Sequence, residues 1–199
     1  MSTKRSALTR VLHLALLIVV LHQLLSSLWT EMPPPGEAMG WPLYLHERAG
    51  IAGVAILGLF WVWLFARGLR EPSLGRLFPW FSPARVAAVF ADVANLLRAL
   101  VRLRRPPLEL DALASATHGL GLLVASWMAL TGGLWFFVFE GGSYGRTVLG
   151  LHRLAANLMW AYLIGHATVA VLHQALGDDI FSRMFWSKSR RAVAAERRS

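Results

Sequence analysis

Four runs of the chain, residues 11–30, 49–66, 112–139 and 154–177, contain no Asp, Glu, Lys or Arg. Each reaches the ~18 apolar residues that mark a helix able to cross a bilayer. With their flanks they predict spans at 10–30, 45–67, 112–139 and 150–177. The polar connections alternate in length: 31–48 and 140–153 are short, and 68–111 is long. Inside the long one, Ser82 before Pro83 marks a helix start. Val86, Val89, Phe90, Val93, Leu97, Leu100 and Val101 then recur at helical spacing before the Pro106-Pro107 stop, with Arg85, Arg98, Arg102, Arg104 and Arg105 as cationic neighbours. Two placements fit this amphipathic helix equally: on the inner leaflet, or packed on the bundle or a partner subunit. The expected fold class is therefore an all-α membrane protein, a four-transmembrane-helix bundle forming one domain over residues 1–199, with a cytoplasmic amphipathic helix between helices 2 and 3.

Composition agrees, since 56% hydrophobic residues and nine Trp in 199 residues exceed what a soluble core of that size hides. The net charge of +9 would suggest nucleic acid in a soluble protein, but its distribution follows the spans. Lys4, Arg5 and Arg10 precede the first. Arg67, Arg70, Arg76, Arg85, Arg98, Arg102, Arg104 and Arg105 lie between the second and third, and Arg183, Lys188, Arg190 and Arg191 follow the fourth. The other two connections carry only Arg48, Arg146 and Arg153. By the positive-inside bias both termini are cytoplasmic, and no nucleic-acid partner is needed to explain the charge. The first run is read as a retained anchor, because it is long and ends in Ser-Ser-Leu-Trp-Thr with no convincing small-residue cleavage site.

Absence of cysteine excludes Cys-ligated iron–sulfur clusters, covalent c-type haem and thiol chemistry. No P-loop, G-x-G-x-x-G or G-x-S-x-G motif occurs, so phosphate chemistry and nucleophile-elbow hydrolysis find no support. The chemistry left to explain belongs to seven histidines. His152 and His166 stand fourteen residues apart. On a helix that separation returns to within about 40° of the same face at levels roughly 21 Å apart, room for two planar cofactors. His13 shares the level of His166, and His46 that of His152. Two pairs at two depths, from helices able to face one another, are what bis-histidine haem ligation requires.

The remaining histidines fit less well. His173 follows His166 by seven residues at a rotation of about 20°, so it is the rival ligand, but its level lies nearer the headgroups. His22 is about 180° around the helix from His13 and packs elsewhere. His118, early in the third span, suits a membrane interface first and a quinone or haem edge second. Taken singly, any of these histidines is as well explained by hydrogen bonding between helices. Gly50, Gly119, Gly121 and Gly165 allow close approach to a macrocycle or ordinary tight helix packing. Arg48 and Arg153 flank the exterior pair, as haem propionate partners or as interfacial anchors. A quinone site would need a polar group at one face, and Glu47, His118, Tyr44 and Glu140 all qualify by position.

The segments Leu12-His13-Leu14, Leu45-His46-Glu47-Arg48-Ala49-Gly50, Thr117-His118-Gly119-Leu120 through Leu130-Thr131-Gly132, Leu151-His152-Arg153-Leu154 through Gly165-His166, Leu172-His173, and Asp178-Asp179-Ile180-Phe181-Ser182-Arg183-Met184 resemble bacterial cytochrome b561. They are also similar to the related cytochrome b subunits of hydrogenases and formate dehydrogenases. The resemblance implies a bacterial inner-membrane protein with two haem b groups on His13, His46, His152 and His166, passing electrons between a quinone pool and another redox protein. It leaves open whether the chain acts as a quinone-linked oxidoreductase or as a subunit of one. The 68–111 segment is longer than the loop of compact members, which puts the partner in question more than the haems. Two other readings stand beside it: a haem-bearing anchor subunit of a larger oxidoreductase, and a non-redox metal-binding or transport bundle. The second is weakened by the distance between the two histidine levels and by the lack of clustered intramembrane carboxylates.

Overall fold

The computed structural model describes residues 6–34, 36–67, 74–102, 110–139 and 143–177. The Asp178–Met184 motif, Glu140, the Pro106-Pro107 stop and the basic residues Lys4, Arg5, Arg70, Arg104, Arg105, Arg183, Lys188, Arg190 and Arg191 lie outside them. Helix α1 (Ala7–Ser26) ends in a 3-10 turn, Ser27–Trp29, and α2 runs Trp41–Ala66. A short α3 (Leu74–Leu77) and a 3-10 turn, Pro79–Phe81, lead into α4 (Pro83–Val101). Helix α5 (Asp111–Leu134) passes into a π-helical turn, Trp135–Phe139, and α6 is Ser143–Ala175. No strand occurs among the described residues. Four helices are long and apolar enough to cross a membrane: Ala7–Trp29, Trp41–Ala66, Asp111–Phe139 and Tyr144–Ala175. The protein is thus an all-α, four-span membrane protein with an amphipathic helix between spans two and three. Large apolar side chains such as Ile18, Leu59, Val62, Phe65 and Ile164 point outward, as helices require when their solvent is lipid.

Each helix end has a local cause. The Ser6 hydroxyl accepts the Thr9 amide at 3.2 Å and caps α1. Pro83 supplies the first residue of α4, where a missing N–H costs nothing. Gly177, at φ 92°, takes the left-handed conformation that stops α6. Three helices begin three to seven residues before the predicted spans: α1 at Ala7, α2 at Trp41 and α6 at Ser143. Charge-free runs locate the membrane core, whereas a helix continues past it wherever Glu47, Arg48, Arg146 and Arg153 can reach the headgroups. His152 therefore sits more than two turns inside α6 rather than at its start.

The chain divides into two compact units. One comprises Ser6–Trp63 and Val124–Tyr162. Within it α1 and α2 run antiparallel, tied at one end by Trp63 Nε1 donating to Thr9 Oγ1 at 2.9 Å and at the other by Gln23 Nε2 donating to the His46 carbonyl at 2.8 Å. Between these ties Gly53 lies against Val19, where any side chain would collide. Trp61 Nε1 donates to Ser126 Oγ at 3.0 Å and joins α2 to α5. The other unit holds the described residues of 64–123 and 163–177. There the Asp92 carboxylate on α4 accepts the Leu113 amide at 3.0 Å, placing a negative charge at the positive end of α5. The Leu77 carbonyl lies directly over Gly119, and Leu77 and Pro79 are buried.

That contact can be tested by contrast. A Cβ at Gly119 meets backbone that cannot step aside, whereas one at Gly150 meets open space. Gly119→Val is expected to destabilise by about 1–3 kcal/mol through overpacking, and Gly150→Ala to be neutral or stabilising by about 0.5–1 kcal/mol through backbone entropy. Thermal melts of the purified variants followed by circular dichroism check both.

Candidate functional site

Two histidine pairs are formed, one in each unit. In the first, His46 of α2 and His152 of α6 stand with ring centroids 6.4 Å apart and planes at 90°. Both rings are held through Nδ1. His46 Nδ1 lies 2.9 Å from Ser26 Oγ, whose own proton goes to the Gln23 carbonyl at 3.2 Å. His152 Nδ1 lies 3.0 Å from Thr131 Oγ1, whose proton goes to the Trp127 carbonyl at 2.8 Å. With each hydroxyl's proton on that carbonyl, the hydroxyl accepts from the ring and the ring proton sits on Nδ1. The Nε2 lone pairs of both histidines are thereby left for a metal, the tautomer that outer-shell partners select in histidine-ligated sites.

The spacing meets the same requirement. With a metal–nitrogen bond of about 2 Å and a ring centroid roughly 1.1 Å beyond the nitrogen, two imidazoles on opposite faces of one metal would have centroids about 6.2 Å apart. The observed 6.4 Å is close to that value. Gly132 lies beside the His152 ring, and a Cβ there would come within 3.1 Å of Cε1, so the glycine gives the imidazole its room. The nearby His22 Nδ1 is buried without a hydrogen-bond partner among the described residues. The residues present fit an iron porphyrin.

In the second unit His118 of α5 and His166 of α6 stand with centroids 5.0 Å apart and planes at 83°. His118 Nδ1 donates to the Ala114 carbonyl at 2.6 Å, so its Nε2 also carries the lone pair. His13 is half-buried on α1, in the first unit, and His173 is half-buried in the last turn of α6. Arg48 and Arg153 are exposed beside the first pair, and the Arg48 guanidinium lies 5.2 Å over the Tyr44 ring, a cation–π contact that fixes its direction.

Some of these features lie beyond sequence reasoning. The contact of His118 with His166 places His118 among the candidate ligands rather than first at the membrane interface. Ser26 and Thr131 carried no signal of their own, although a hydroxyl in the last turn of a helix facing a histidine is the pattern to seek. Of the small residues expected around a macrocycle, Gly119 instead receives the Leu77 backbone and Gly165 faces open space. Gly132 lies against the His152 ring.

Histidine pairs inside a four-span apolar protein define a class, the b-type membrane cytochromes. The prokaryotic cytochrome b561 family model matches residues 4–187, and the chain belongs to that family. It is a membrane b-type haem protein of electron transfer. Searches of the curated proteins and of the solved structures gave no match.

Replacing Thr131 by Val keeps the shape but removes the acceptor for His152 Nδ1–H. Haem affinity is expected to fall about 10- to 100-fold, the usual cost of losing an outer-shell partner. Titration of haem into the purified apoprotein checks it, with Thr117→Val, whose hydroxyl donates to the Leu113 carbonyl in its own helix, as the neutral comparison.

Proposed function

We propose that the protein carries two b-type haems and relays electrons between a membrane quinone pool and a redox partner protein. The observation that supports this best is the His46–His152 pair, at ligand spacing with both Nδ1 atoms hydrogen-bonded. His46 and His152 hold the first haem. His13 and His166 hold the second, as the family pattern and the fourteen-residue register of α6 imply, while His118, against the His166 ring, is the competing partner there. Arg48 and Arg153 bind propionates of the first haem from the exterior side. Both termini face the cytoplasm, following the bias of Lys and Arg toward the segments before span one, between spans two and three, and after span four.

When bound, the haems supply one-electron iron couples whose potentials follow axial ligation, burial and hydrogen bonding. The chain's own residues contribute position and surroundings. Ser26 and Thr131 hold the Nδ1 protons and so keep the Nε2 atoms aimed at the metal. Gly132 leaves the His152 ring its space, and the apolar faces of the spans exclude water. No acid or base is required for the relay itself.

A pyridine haemochrome assay on the detergent-purified protein is expected to give two haems b per chain. His46→Ala and His152→Ala should each lose one, and His166→Ala the other. His13→Ala should lose the same haem as His166→Ala, while His118→Ala keeps both. Loss on His118→Ala with retention on His13→Ala would reverse that ligand assignment, and folded protein without haem would overturn the whole reading. Failure of a quinol to reduce the loaded protein in proteoliposomes would overturn the quinone link alone.

A further inference from the structure

Helix α4 presents three faces. Val86, Val89, Val93 and Leu96 are half-buried and pack inward, with Asp92 reaching the start of α5. Phe90, Ala94, Leu97 and Val101 recur at intervals of four, three and four residues, form a second apolar stripe, and are all exposed. Phe90 is 68% exposed, Leu97 55% and Val101 84%, which no packed helix face would show. On the far side of that stripe lies a polar edge of Asn95, Arg98 and Arg102. Arg98 is folded along the helix, with Nη2 donating to Asn95 Oδ1 at 2.8 Å and Nε to the Ala94 carbonyl at 3.2 Å. Just before the helix, Trp80 and Phe81 protrude, Phe81 at 90% exposure.

We propose that the exposed stripe of α4 lies in the headgroup region of the bilayer that the spans cross, with Arg98 and Arg102 on anionic lipid phosphates. Four features on the helix favour lipid as the occupant. The chain leaves the membrane at the end of α2 and re-enters with α5, so α4 is tethered to the same bilayer face at both ends. Its 19 residues are about 28 Å long, enough to lie along that face. An apolar stripe bordered by cations matches the layered polarity of an interface, apolar below and anionic above. Protruding Trp and Phe at the helix entry are the side chains that interfaces collect. Such a helix would hold α3 and the Leu77–Gly119 contact at a fixed depth.

The chain has no cysteine, so a single introduced one is a unique labelling site. Leu97→Cys, Val101→Cys and Asn95→Cys, each nitroxide-labelled in the full chain and reconstituted in phosphatidylcholine vesicles with one-third phosphatidylglycerol, report depth by collision with oxygen against an aqueous nickel chelate. The ratio is expected to be several-fold higher at Leu97 and Val101 than at Asn95. It should fall at both stripe positions in pure phosphatidylcholine, and Arg98→Gln with Arg102→Gln should abolish that lipid dependence. Equal aqueous access at all three positions would overturn the proposal. So would stripe labels shielded from both reagents, which would mean that protein covers the stripe, and so would a ratio indifferent to anionic lipid.

Discussion

Two hydroxyl groups hydrogen-bonded to imidazole nitrogens set the state of the candidate haem site. A histidine binds iron only through a nitrogen that carries no proton, and in water the two ring tautomers interconvert freely. Ser26 and Thr131 bias that exchange for His46 and His152, because a hydroxyl that gives its own proton to a carbonyl of its own helix accepts from the ring. The same bonds join helices: Ser26 ties α1 to α2, and Thr131 ties α5 to α6. Ligand orientation and helix pairing therefore depend on the same atoms, and the 6.4 Å spacing of the rings is a property of the packing.

The forces that hold those helices differ from those of a soluble core. Outward apolar side chains gain nothing by leaving lipid for another helix, so association rests on close backbone approach and on polar contacts. Both are present. Gly53 against Val19 and Gly119 under the Leu77 carbonyl provide close approach. Trp63 to Thr9, Trp61 to Ser126 and Gln23 to the His46 carbonyl are interhelical hydrogen bonds, each worth about 0.6–2 kcal/mol in a membrane. Ligation to a shared iron would join α2 and α6 directly and add a link that these contacts do not supply.

Much of this was legible in the sequence, for identifiable reasons. Spans are visible because bilayer thickness demands an unbroken apolar run, and His152 with His166 stands out because helix geometry turns fourteen residues into one face. The pairing of His46 with His152 followed from counting levels in from the span ends. Pro83 marked the start of α4, but the starts of α2 and α6 were not legible, since Trp41 and Ser143 begin helices in polar sequence where charge gives no boundary. Nor was the approach of His118 to His166, which depends on how α5 rotates against α6 and not on its own periodicity. Ser26 and Thr131 were silent because a hydroxyl in an apolar helix usually bonds back to its own carbonyl, as both do, and only the neighbouring ring reveals the second bond.

Perpendicular imidazole planes on one ferric iron make its low-spin electron paramagnetic resonance spectrum strongly axial, whereas parallel planes make it rhombic. The 90° between the His46 and His152 rings therefore gives the central claim a spectroscopic test. Oxidised His166→Ala protein, retaining only the first haem, should show one strongly axial low-spin signal. That signal should turn high-spin or vanish when His46 or His152 is also replaced. A rhombic or high-spin signal in the His166→Ala protein would contradict the account, because the two rings would then not be the axial pair that the fold holds at right angles.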